Sequence, residues 1–161
     1  MNQEIKYYIY ILLIFGIVSV ILQSVLTPFI MISVWQPDFV LVIVLLMGMR
    51  FGSIGGSSAG LILGFIQDAL SPLPVGITAL PKVIAGYAAG KMRSIGLEGT
   101  MYYLWFVILI LVHEIIVYLF FQYISELSFG YLIYSRVFPN TIYTTIILFF
   151  INLFTRSYFS E

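Results

Sequence analysis

The constraint that dominates this chain is the run from Tyr7 to Leu26, about 20 residues without a charge, the length a helix needs to cross ~30 Å of hydrocarbon. A secretory signal sequence would show a shorter apolar core, about 7–15 residues, and a small-residue cleavage site. Neither is present, so the run is expected to remain as a membrane span. Composition extends the point to the whole chain. Of 161 residues, 61% are hydrophobic and 9% charged, whereas a soluble domain carries about 25% charged residues to face water. The expected fold class is an all-α integral membrane protein. Net charge is zero, which leaves no electrostatic basis for binding nucleic acid. Cysteine is absent, which excludes disulfides, thiolate metal sites and thiol nucleophiles.

Taken in order, the chain reads as one polytopic domain, 1–161, with about six transmembrane helices in a compact bundle at 7–26, 38–50, 53–70, 78–91, 101–124 and 134–154. A loop bracketed by Pro28 and Pro37 follows the first span and carries Trp35, a residue suited to the membrane interface. The second segment is short, in the range of re-entrant or buried segments. It crosses only where the membrane thins or neighbouring helices shield its ends. Thr78 is expected to cap the next helix, with Pro81 in its first turn. Lys91, Arg93 and Glu98 mark the most polar connection, and Arg156 and Glu161 close the chain. With six spans and both termini cytoplasmic, Lys6, Arg50, Lys91, Arg93 and Arg156 all lie inside, in line with the positive-inside tendency. Five spans with the N-terminus outside still place four of these five bases inside.

Glycine recurs at every fourth position through Gly48, Gly52, Gly56, Gly60 and Gly64, and the next step of four lands on Asp68. After a turn holding Pro72 and Pro74, Lys82, Gly86 and Gly90 repeat the spacing. Residues four apart share a helix face, so each half is a smooth stripe on which backbones can approach closely. In an antiparallel hairpin the acid and the base then fall at similar depth, and Asp68 and Lys82 read as a neutralising pair. The alternatives are separate snorkelling to the interface, or a docking point for a partner helix or ligand. A phosphate loop is excluded, since no strand precedes the glycines and no Gly-Lys-Ser/Thr follows them.

The segments Gly60-Leu-Ile-Leu-Gly-Phe-Ile-Gln-Asp68, Gly76-Ile-Thr-Ala-Leu-Pro-Lys82 and Gly86-Tyr-Ala-Ala-Gly90 resemble the rod shape-determining protein MreD family. So do Pro37-Asp38 and Arg136-Val-Phe-Pro139 to Tyr143, although Thr78 and Pro81 depart from the commoner family residues. The resemblance implies a non-enzymatic scaffold of the bacterial cell-elongation complex in the cytoplasmic (inner) membrane. It implies partners too: MreC by direct contact, MreB, and the glycosyltransferase and transpeptidase that extend peptidoglycan. It also implies a fold similar to the substrate-binding subunits of energy-coupling vitamin transporters. That similarity keeps a second function open, a substrate-binding subunit for a vitamin or micronutrient. Its pocket would draw on Trp35, Asp38, Asp68, Lys82 and Arg136.

Four polar candidates remain within the apolar spans, His113, Glu114, Arg136 and Asn140. His113 and Glu114 sit mid-span, where ionisable groups are functional candidates by default. Adjacent helical residues point about 100° apart, which argues against a two-residue metal site. A proton relay needs further acids at that depth, and the sequence places none on the neighbouring segments. Glu114 is expected instead to be neutral and bonded to Thr144, Thr145 or Asn140. Arg136 is shallow enough for the outer headgroups, as is Asp38, and Pro139 with Asn140 marks a helix irregularity. No nucleophile–base pair, close carboxylate pair or metal cluster is legible, so neither catalysis nor a cofactor is expected.

Overall fold

The computed structural model describes residues 3–96 and 99–159; Glu98, Glu161 and the Arg156 side chain lie outside the described residues. The described chain is all-helical, and four of its helical stretches are long and apolar enough to cross a membrane: Gln3–Ile30, Phe39–Ala69, Thr100–Ser125 and Phe129–Leu153. The first comprises α1 (Gln3–Ile21), a π turn (Leu22–Leu26) and α2 (Thr27–Ile30). A loop was expected from Thr27, but helix persists to Ile30. Its π turn explains why: the Thr27 N–H reaches back to the Leu22 carbonyl, five residues earlier. The widened register accommodates Pro28, which brings no N–H of its own.

The same device recurs late in the chain. After α5 (Gly99–Ser125) and the short α6 (Phe129–Leu132), a π turn over Ile133–Val137 leads into α7 (Phe138–Phe159). The irregularity expected at Pro139 and Asn140 therefore lies just before them. Proline at 139 withdraws the N–H that would bond the carbonyl of Ser135. That carbonyl accepts the Trp35 indole N–H at 3.0 Å instead. The helix defect thus anchors the loop between the first two long helices.

The helix α3 (Phe39–Ala69) is folded back on itself at Gly52. There φ is 76° and ψ is −173°, a region open essentially only to glycine. A Cβ placed on Gly56 would lie 2.7 Å from the Gly48 Cα, whereas eight residues along one straight helix separate Cα atoms by about 12 Å. Residues 39–51 and 53–69 are two arms of a helical hairpin. The first arm is the centre of the molecule, with every residue from Phe39 to Gly48 buried. A helix buried all round needs no polar face, which accounts for its unbroken apolar sequence. Around it pack Ile11 and Leu12 of α1, Leu63 of the second arm, and Ala85, Ala89 and Met92 of α4 (Ala79–Ile95). Phe106 and Ile110 of α5 and Leu148 of α7 complete the core.

Glycine makes the contact between the hairpin and α4. Gly56 meets the Gly86 carbonyl, Gly60 the backbone of Lys82, Gly64 the backbone of Ala79, and Gly90 the backbone at Gly52 and Ser53. Gly52 belongs to the stripe by spacing but has a different task, since nothing lies within 4 Å of a Cβ there. It makes the reversal. One end of the bundle gathers Tyr8, whose hydroxyl donates to the Gly55 carbonyl at 3.1 Å, and Arg93, which donates to the Arg50 carbonyl. Asp38, Asp68 and Lys82 gather at the other.

Alanine at Gly60 meets backbone that cannot move aside, and alanine at Gly52 must adopt a positive φ. We expect Gly60→Ala and Gly52→Ala each to cost about 1–3 kcal/mol, read as a lowered melting temperature of the detergent-solubilised protein. Gly130→Ala, which meets open space, serves as the control and is expected to melt normally.

Candidate functional site

The polar end of the bundle is organised by Lys82. Its side chain is fully buried, and Nζ donates to Asp38 Oδ2 at 2.6 Å. Asp38 sits at the N-cap of the first arm. Its Oδ1 accepts the Leu41 N–H at 2.7 Å, and its own N–H donates to Thr144 Oγ1 at 3.1 Å. A carboxylate at a helix N-terminus is favoured by the helix dipole as well as by the ammonium. Where Asp68 and Lys82 were expected to pair, the structure pairs Asp38 with Lys82, and Asp38 is buried in the protein.

Asp68 is occupied elsewhere. It accepts N–H bonds from Gly76 at 2.7 Å, Ala79 at 3.2 Å and Thr78 at 3.3 Å, and the Thr78 hydroxyl at 2.5 Å. These are the unpaired donors at the start of α4, so Asp68 caps that helix from the preceding arm. Thr78 does not cap it with its own side chain. One turn further along α4, Lys82 faces the central arm and finds Asp38.

Beyond this pair α5 and α7 contribute the remaining polar groups. Asn140 donates from Nδ2 to Glu114 Oε2 at 3.3 Å and to the Tyr118 hydroxyl at 3.0 Å, and its Oδ1 accepts the Gln36 N–H at 3.0 Å. Arg136 donates to the Val34 carbonyl at 3.1 Å. His113 is 2% exposed, and its Nδ1 lies 3.3 Å from Glu114 Oε1. Neither ring nitrogen of His113 has a hydrogen-bond partner among the described residues. The adjacency of His113 and Glu114 argued against a shared site, but Asp38 changes that geometry. One ligand atom each from Asp38, His113 and Glu114 lie within 4.8 Å of one another. A further acid does stand at the depth of His113, and it comes from the first arm.

Asp38, His113, Glu114, Tyr118, Arg136 and Asn140 line one cavity of about 450 Å3, together with Gln36, Pro72 and Leu73. Gln67 lines it too, with its Oε1 buried and unpartnered among the described residues. Lys82, Asp68 and Trp35 are not among the cavity's lining residues. Sequence reading missed Asp38 as the partner of Lys82. The Pro37-Asp38 pair, just ahead of a charge-free segment, was the available signal.

A family model described as rod shape-determining protein MreD matches residues 3–160. The chain belongs to the MreD family. Among curated proteins nothing matches it, and among solved structures nothing does. MreD proteins determine rod shape, and this member is an integral membrane protein by its apolar helices.

The Lys82–Asp38 pair yields a specific expectation. Removing one member leaves a buried charge unpaired and costs about 3–5 kcal/mol, whereas removing both can be nearly neutral. Lys82→Met is expected to melt markedly lower than the parent. Adding Asp38→Asn to it is expected to restore most of the loss, and adding Asp68→Asn is not, as read from thermal melts of the purified protein.

Proposed function

We propose that this MreD protein is a non-enzymatic scaffold of the cell-elongation complex, supporting lateral peptidoglycan synthesis through helix contacts with MreC and other elongation proteins. The family match over residues 3–160 carries this reading. The packing is compatible with it. A bundle whose central arm is buried on every side, with glycine backbones in contact, is a stiff body that holds partner helices in a fixed arrangement. Exposed Leu61, Ile62, Phe65 and Ile66 on the second arm offer an apolar surface to lipid or to such a helix.

The reversal at Gly52 supports counting the two arms as separate crossings, and with α4 the total is six. Lys6, Arg50, Lys91 and Arg93 then share one end of the bundle, which we assign to the cytoplasm together with both termini. The cavity faces the opposite, outer side. The membrane would be the cytoplasmic one, where the elongation complex works.

The cavity is also the observation that favours a second reading, a substrate-binding subunit of a vitamin or micronutrient transporter on a similar fold. Its size suits a small molecule, since such sites are about 300–1,000 Å3. Depleting the protein in a rod-shaped host separates the two. Rounding that no added nutrient reverses is the expected result. Rods of normal width that need a vitamin for growth would sink the scaffold and favour the transporter subunit.

A further inference from the structure

We propose that Asp38, His113 and Glu114 bind a divalent first-row transition-metal ion of the Zn2+ type at the floor of the cavity. The starting point is His113. This imidazole is 2% exposed, neither nitrogen is hydrogen-bonded among the described residues, and Nδ1 has the Glu114 carboxylate at 3.3 Å outside hydrogen-bond geometry; a buried polar atom left unsatisfied costs about 1–3 kcal/mol. Such a group asks for a ligand. The two carboxylates beside it give that ligand its sign and class.

Zn2+ holds imidazole nitrogen and carboxylate oxygen at about 2.0–2.2 Å in a tetrahedron, so neighbouring ligand atoms stand about 3.4 Å apart. One atom each from Asp38, His113 and Glu114 already lie within 4.8 Å of one another, and His113 Nδ1 and Glu114 Oε1 stand 3.3 Å apart; closing the set around an ion takes side-chain movements on the order of 1 Å. Nitrogen with two oxygens is a donor set that suits Zn2+ and its first-row neighbours, and the imidazole disfavours Mg2+ and Ca2+. With three protein ligands, a fourth position faces the cavity and takes water or a small ligand.

Lys82 does not forbid the ion. Its ammonium takes one lone pair of Asp38 Oδ2 at 2.6 Å, and each carboxylate oxygen has a second. Ligating carboxylates ordinarily carry such an outer hydrogen bond, and Asn140 supplies the equivalent to Glu114 Oε2. The three ligands come from the first arm and from α5. The ion therefore ties the centre of the bundle to its outer wall.

The full chain, purified without a polyhistidine tag in lipid nanodiscs, supplies the test, with Zn2+ and Co2+ as probes. One histidine and no cysteine in the sequence make the spectra unambiguous. We expect one Zn2+ per chain after equilibrium dialysis, retained against a large excess of Mg2+. X-ray absorption of the bound ion should show a single imidazole among oxygen ligands. His113→Gln and the isosteric Glu114→Gln leave the Lys82–Asp38 pair in place, and each should weaken binding at least ~10-fold. Absence of stoichiometric uptake, a spectrum without imidazole, or unchanged affinity in whichever of the two variants retains its native elution would overturn the site.

Discussion

A lysine ammonium with no exposed surface is the most demanding group in this molecule, and much of the polar end is arranged around it. Desolvating an ammonium costs several kcal/mol even after relaxation. Lys82 is tolerable because Asp38, its partner, is held in place by contacts of its own. Thr144 accepts the Asp38 N–H, and the Leu41 N–H binds its other carboxylate oxygen. Asp38 thus joins α7, the first arm and α4 at one point. That junction sets the depth at which the cavity, with His113 and Glu114 on its wall, can exist.

The junction works only because backbone comes close to backbone. Gly60 lies against the main chain of Lys82 itself, so the glycine stripe brings α4 near enough for its lysine to reach the central arm. Gly52 turns the chain so that both arms present glycine to α4, through Gly48 on one and Gly56 on the other. In lipid no hydrophobic force draws helices together, and close van der Waals packing takes its place. Spacing of small residues and burial of the charge are therefore coupled features. A side chain added to the stripe would move the ammonium as well as the helix.

The helical segments and the smooth stripe were legible because both depend on local pattern, either apolar length or a period of four. What the sequence concealed was non-local. Asp68 and Lys82 sit at matching depths around a turn, and depth alone suggested a pair. The deciding fact was that the first turn of α4 presents unpaired N–H groups, which claim Asp68 before any lysine can. Asp38 is distant in sequence from Lys82, and its neighbourhood with His113 depends on how the first arm threads through the bundle. The two π turns were similarly hidden. Pro28 announced the edge of a loop and Pro139 an irregularity, but the donor that the carbonyl freed by Pro139 finds, the Trp35 indole, is set by tertiary packing.

A bundle that only presented outer surfaces to partner helices would have little reason to keep His113, Glu114, Asn140 and Tyr118 facing an internal cavity. Polar groups at membrane depth are expensive, and apolar replacements of similar volume would pack at least as well. The groups also come from different segments: Asp38 from the first arm, His113 and Glu114 from α5, Arg136 and Asn140 from the approach to α7 and its first turn. Anything bound among them adds its binding free energy to the mutual attachment of those segments, because the site does not exist when they separate. The cavity is thus placed to stiffen or relax the mutual attachment of α5, α7 and the first arm at the polar end of the bundle. In a scaffold, that is the end where a bound ion would bear on how partners are held.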